Sequence, residues 1–451
     1  MKNDYQKYLE TQSKNLDDWE NIANQSLKEK TIDSLKKNFD GNLEKKILYT
    51  ENDITLENNH AYARGLKEEV NEHLPWHICS MVDPSVDSKL YNSRILNELE
   101  RGASSIEINY INDQESEEIL KSIDLSIAPI FYRDISNPLE GSSKFLNLIN
   151  NWEHKNKKTP LGGLEIDAIA ISFSKFRKDS GFNHAELINS LNKIIKENKN
   201  QNINLINFDG TIWNSLGASL NEEIALMCLS FIEMLRSNVV DDKSLINFTI
   251  SLDTDFFLNI AKIRSLRIII NNLYEHFGIN PIFKINGRTA DEIIFKESPW
   301  VNQLRITNAA LSAAIANIDR LTCHHITNPL GQAPEFVRRL ARNTHLILQE
   351  ESNIGKIQDA AGGSYYIESI TKMIADKSFD FIKYVERNGG ILCLLENREF
   401  INKLTENKTN KDKMLEEKNI KRIGVNLYPD KEIRESNIKP YEKIKNYDKE
   451  I

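Results

Sequence analysis

A chain of 451 residues with 40% apolar and 27% charged side chains can bury a large core, which excludes disorder along its whole length. Its formal charge of −8 argues against nucleic acid or an anionic membrane as the main partner. Four widely spaced cysteines without a CxxC pair, no apolar stretch within residues 1–19 and no long apolar run point to a reduced cytoplasmic protein with no membrane segment.

Residues 1–60 are rich in Lys, Asn and Glu, and Leu9, Leu16, Trp19, Ile22, Ala23 and Leu27 recur at helical spacing. That pattern predicts an arm of one or two helices over about 1–65, a candidate for partner contact. From Trp76 short β-branched runs alternate with longer helical patterns. Strands are predicted at 78–82, 106–109, 127–132, 168–173, 205–209, 246–252, 282–285 and 321–324. Helical patterns at 86–101, 221–236, 256–277 and 302–318 fill gaps between them. Parallel neighbours need a crossover helix, so this repetition predicts a parallel sheet. Eight strand–helix units are the number that closes a (β/α)8 TIM barrel, here over 66–390. An open doubly wound sheet is the rival, and no GxGxxG follows a first strand. The connection 133–165 reads as a long surface insertion with an amphipathic stretch at 145–152, the kind that covers a site or an interface. Helices return at 336–351 and 370–386. The last part, 391–451, is a charged extension, with Lys403–Lys421 mostly Lys, Glu and Asn.

Signals for chemistry are sparse. His324 and His325 adjoin at the end of the eighth strand, the face where barrel enzymes keep their sites. Neighbouring strand residues point to opposite faces, so the two do not share a metal, and one of them can face into the barrel as a polar contact. No HExxH, GxxxxGK[ST] or GxSxG occurs, and no His has an Asp two positions before it, so DxHxxG is also missing. No catalytic, cofactor-binding or metal-ligating residue is therefore assigned from motif alone. The stretch 336–368 (FVRRLARNTHLILQEESNIGKIQDAAGGSYYIE) sets Arg338, Arg339 and Arg342 near one face of a helix, then turns at Gly362-Gly363-Ser364. Either it is a helix and tight connection that closes the barrel, or it is a rim for a phosphate-bearing ligand or partner.

RLARNTHLILQEES followed by DAAGGSYYIE resembles the adenosylcobalamin-dependent acyl-CoA mutases, above all methylmalonyl-CoA mutase. NQLRIT from Asn302, FFLNIAKIRSLR from Phe256, PWHI from Pro75 and GVNLY from Gly424 extend the resemblance over roughly 75–428. It implies a substrate barrel whose axis takes the CoA chain. In complete catalytic chains a cobalamin domain with a DxHxxG histidine follows; here no such domain is expected after GVNLY, and no cofactor is expected on this chain. Where catalytic chains carry a Tyr after PW, spacing puts Met81, and where they carry a His before Gly-Ala, spacing puts Ile212. Neither supplies a donor to a thioester carbonyl. FDGT, GAS and EE across 208–223 are similar to the small non-catalytic subunits of heterodimeric methylmalonyl-CoA mutases. The resemblance thus implies a subunit that pairs with a large catalytic chain, the carrier of adenosylcobalamin. The alternative it leaves open is a catalytic substrate barrel of the isobutyryl-CoA type, with cobalamin on a separate polypeptide.

Overall fold

The computed structural model describes residues 16–27, 31–39, 43–54, 60–65, 74–112, 116–179, 181–198, 203–429 and 438–442. The positions of Leu9 and of the last nine residues lie outside these. Eight parallel strands form the sheet: β1 His77–Met81, β2 Ser105–Ile108, β3 Ile130–Tyr132, β4 Gly162–Leu164, β5 Ile206–Asp209, β6 Leu245–Leu252, β7 Ile282–Thr289 and β8 Arg320–Thr322. Their order is 4-3-2-1-8-7-6-5. A parallel bridge between Gly163 and Asn204, with Leu164 N–H donating to Asn204 O at 2.8 Å, joins the two ends and closes the (β/α)8 barrel. Only glycine fits this seam. A Cβ on Gly163 would lie 1.9 Å from Asn204 O, and one on Gly162 2.0 Å from Ile130 O, with φ of +158° and +119°.

The outer helices are α1 Ser88–Glu100, α2 Pro138–Asn156, α3 Ala168–Lys178, α4 His184–Glu197, α5 Gly210–Ser215, α6 Leu220–Arg236, α7 Phe256–Phe277, α8 Pro299–Ile315 and α9 Glu335–Leu346. After β2 the described residues hold a 3₁₀ turn, Ser116–Leu120, instead. An aspartate recurs where strand gives way to helix: Asp87, Asp167, Asp209 and Asp255 each accept from backbone N–H groups of the first turn of α1, α3, α5 and α7. α7 runs from Phe256 to Phe277 as its periodicity predicts and stops at Gly278 in the left-handed region.

Two expectations fail together. The stretch 168–173 is not a strand but the first half of α3, and β4 is Gly162–Leu164. Ala168–Phe173 is buried on every side, so its period could not separate a core helix from a central strand, whereas Asp167 caps a helix. With β4 misplaced, 133–165 looked like an insertion. It contains the crossover helix α2, whose Phe145, Leu146, Ile149 and Trp152 are buried against the barrel. β3 is also shorter than read, beginning at Ile130, and Ile127 is exposed.

Beyond α9 a π-helical turn, Ile347–Glu351, leads to α10 Tyr365–Arg387, α11 Gly390–Leu395 and α12 Arg398–Glu416. Arg338 and Arg342 both turn inward to Glu98 of α1, at 3.3 and 2.5 Å, and Ser364 caps α10. Arg338 and Arg342 thus tie α9 to α1 rather than pointing outward as a rim. In the N-terminal part, helix Leu16–Leu27 precedes a two-stranded hairpin, Lys37–Phe39 with Leu43–Lys45. Two contacts tie this part to its own barrel: Lys45 pairs with Asp255 at 2.9 Å, and Ala63 O accepts from Arg267.

Candidate functional site

Parallel strands alternate their side chains between two faces. Outward, Ile106, Ile108, Ile130, Phe208, Phe248 and Leu321 are wholly buried against the helices. Phe208 and Phe248 meet Phe231 of α6, their ring centroids 5.1–6.4 Å apart. The inward series, apart from Phe131 and Met81, is mostly polar: Cys79, Ser105, Glu107, Asn207, Asp209, Asn247, Thr249, Asn286, Arg288, Arg320 and Thr322. Barrel interiors usually take Val, Ile and Leu, and this one departs from that composition.

Three ion pairs span the interior. Arg320 of β8 reaches past the axis to Glu165, after β4, at 2.7 Å, and its guanidinium stacks 3.6 Å from the Phe131 ring centroid. Arg288 of β7 meets Glu107 of β2 at 2.6 Å. Arg133, just beyond β3, meets Asp209 of β5 at 2.9 Å and donates to Thr211 Oγ1 at 3.0 Å. Glu165 also accepts from Asn247 at 3.0 Å and Thr249 at 3.1 Å. Burial opposes ionisation of Glu107, but Arg288, with Arg133 and Arg320, holds it below the usual carboxylate range. Burial likewise opposes the Arg133 charge, and Asp209 and Glu107 more than restore it.

The C-terminal ends of the strands open on a cavity of about 620 Å³, walled by Met81, Arg133, Arg288, Asp291, Glu292 and His324 among others. His324 is the histidine that faces into the barrel mouth. Thr289 Oγ1 accepts from the His324 backbone N–H at 2.8 Å and also lies 2.8 Å from Nδ1. The other ring nitrogen, Nε2, lies 3.1 Å from Asp291 Oδ1. The carboxyl of Asp291, though its side chain is 60% exposed, is kept well below its ordinary range by His324 and by the charges of Arg288 and Arg133. Two elements that follow the barrel also line the mouth. Lys408 of α12 donates to Ser215 O at 2.9 Å, and Tyr441 O–H donates to Asn328 O at 2.9 Å.

Of the two positions singled out by spacing, Met81 ends β1 in the cavity wall, where its Sδ lies 3.0 Å from Arg288 Nη2. Ile212 sits in α5 with 1% exposure, outside the cavity lining. Motif reading missed the six charged residues of the ion pairs. Only Glu107 carried a local signal, a charge between two isoleucines of a short strand, Ile106-Glu107-Ile108. Among the described residues no three His, Cys, Asp or Glu side chains gather as a metal cluster. The mouth does not fit a cobalt ligand either, because both ring nitrogens of His324 are engaged.

The chain matches the family model of methylmalonyl-CoA mutase over residues 181–450. It is 27% identical to the methylmalonyl-CoA mutase small subunit of Propionibacterium freudenreichii over 73% of this chain and 53% of the relative. To the small subunit of Streptomyces virginiae it is 33% identical over 42% of this chain and 32% of that one. With the Escherichia coli methylmalonyl-CoA mutase it shares 23% identity over 85% of this chain and 60% of the relative. The aligned part thus spans about half or less of the small subunits. With a family match over more than half of its length, on a barrel of this topology, the chain belongs to the methylmalonyl-CoA mutase family.

Proposed function

We propose that this chain is a small, non-catalytic subunit of a methylmalonyl-CoA mutase, working in the cytoplasm as one half of a heterodimer. Its partner is a large catalytic subunit that carries adenosylcobalamin and interconverts (R)-methylmalonyl-CoA and succinyl-CoA. The observation that carries this reading is the interior of the barrel. Arg320–Glu165 and Arg288–Glu107 lie where an extended ligand would have to pass along the axis. Opening either pair leaves a buried charge uncompensated, at a cost of about 3–5 kcal/mol, before any ligand contact is made. Met81 and Ile212 add to it, since a thioether and an alkyl group can neither donate a hydrogen bond to a thioester carbonyl nor transfer a proton. The names of the relatives in P. freudenreichii and S. virginiae support the assignment to a small subunit.

The chain's own contribution is a rigid scaffold. Its apolar shell holds the barrel, its ion pairs block the axis, and chemistry is left to the partner. Isolated chain titrated calorimetrically with methylmalonyl-CoA is expected to give no binding heat at micromolar concentrations; micromolar affinity overturns the reading. Affinity purification with intact-mass analysis tests the partner, and a stoichiometric chain larger than this one, with DxHxxG, is the expected result.

A second reading, a catalytic barrel paired with a separate cobalamin-binding polypeptide, is favoured by the alignment to the E. coli mutase over 85% of this chain. A short cobalamin-binding partner in the same purification, with turnover by the pair, selects it.

A further inference from the structure

Three residues deep in the barrel hold hydrogen-bonding capacity that no protein group fills. Arg320 gives Nη2 to Glu165, yet its Nε and Nη1 meet no acceptor, and the Nδ2 atoms of Asn207 and Asn286 are equally bare. Their exposures are 4%, 1% and 3%. Each such group left unsatisfied costs about 1–3 kcal/mol.

Strand register and one shared neighbour place the three close to one level of the barrel. Arg320 pairs in register with Asn286 on the neighbouring strand, and Asn286 with Thr249 on the next. Thr249 Oγ1 lies 2.8 Å from Asn207 Oδ1 and 3.1 Å from Glu165 Oε2, which belongs to the carboxylate that holds Arg320. A hydroxyl has one proton and here faces two oxygens. The carboxylate paired with arginine can only accept, so the proton goes to Glu165. The oxygen and nitrogen of an asparagine amide are assigned from such networks. Turning the Asn207 amide over lets its NH₂ donate to Thr249 and leaves its carbonyl oxygen at the unfilled position. The region then offers N–H donors from Arg320 and Asn286 and an acceptor from Asn207.

We propose that this point on the barrel axis is a binding site for internal water. A water oxygen accepts from Arg320 and Asn286 while its proton is donated to Asn207, so one kind of guest completes both halves of the network. Chloride or another simple anion can only accept. It would face the Asn207 carbonyl and the Glu165 carboxylate, with the Arg320 charge already matched. This site is independent of the subunit assignment, because it rests on unpaired atoms rather than on any partner or substrate.

High-resolution diffraction from crystals of the full chain tests it, together with a bromide soak. Expected is density within hydrogen-bond reach of Arg320 Nε or Nη1 and of Asn207, with no anomalous signal from bromide. Anomalous density there, or a collapsed axis without ordered density, overturns the proposal. In solution, oxygen-17 relaxation dispersion counts long-lived waters. Asn286→Leu, or Asn207→Leu if the first does not fold, is expected to lose about one such water per chain. An unchanged count in a folded variant overturns the proposal.

Discussion

Ile106, Ile108, Phe208 and Phe248 look out from the strands onto the helices, while Glu107, Asn207, Asp209 and Thr249 in the same strands look in. The outer face follows the ordinary logic of a buried parallel sheet, with apolar area removed from water at roughly 25 cal/mol per Å². The inner face is built from ion pairs and amides, whose desolvation about cancels their attraction. The two faces therefore do different work. The outer one stabilises the fold, and the inner one carries the ion pairs on which the proposed occlusion of the axis rests. On the proposed reading, closing the axis need not weaken the barrel, because the ion pairs and the apolar packing lie on opposite faces of the same strands.

Mutating one residue from each face tests that division. Phe208→Ala removes a wholly buried ring between Phe231 and Phe248 and is expected to lower stability in urea unfolding by about 3–5 kcal/mol. No second substitution on the inner face should restore it. Glu165→Ala should cost a similar ~3–5 kcal/mol, but for another reason: Arg320 is left charged and buried. Adding Arg320→Met is expected to recover most of that loss, since the pair as a whole contributes little. A double variant as unstable as Glu165→Ala alone would show that the inner face does hold the fold.

How far this division could be read in the sequence depends on the residue. Alternation of Ile with polar residues at 106–108 was visible, and so was the long amphipathic repeat of α7. Glu107 and Arg288 are 181 residues apart, and no local pattern announces that they meet. β4 was invisible because Gly162-Gly163 has no side chain to set a period, while the apolar run after it mimicked a strand. Arg338 and Arg342 drew attention as a possible rim, and only Glu98 in α1 explains them. Met81 could be placed from its distance to Pro75; its contact with Arg288 could not.

A buried histidine outside the axis sharpens the contrast by its pH response. His345 of α9 has 1% exposure, and its Nδ1 accepts from Trp76 Nε1 at 3.4 Å. Burial pushes its pKa down to about 3. The folded protein keeps this imidazole neutral, whereas the unfolded chain takes up a proton below its ordinary value near 6.5. Its stabilising contribution is complete above pH 6.5 and is lost as pH falls toward 3, at up to about 1.4 kcal/mol per pH unit. Urea midpoints measured across that window should fall with acid, and His345→Phe should flatten the part due to this residue. An unchanged slope in the variant would assign acid sensitivity to other groups.

The smallest effect should come from charges with the same signs in a different medium. Lys372 and Asp376, one turn apart on α10, lie 3.1 Å apart with side chains 45% and 61% exposed. Water screens both, and ordering two flexible side chains offsets the attraction, so Lys372→Ala should cost about 0.3–0.5 kcal/mol. Raising the salt concentration should erase even that. The inner pair Arg320–Glu165, out of reach of counterions, should be much less sensitive to salt. If urea unfolding of the Glu165→Ala and Lys372→Ala variants shows the same salt dependence, the barrel interior is open to ions, and the occlusion inferred for its axis fails.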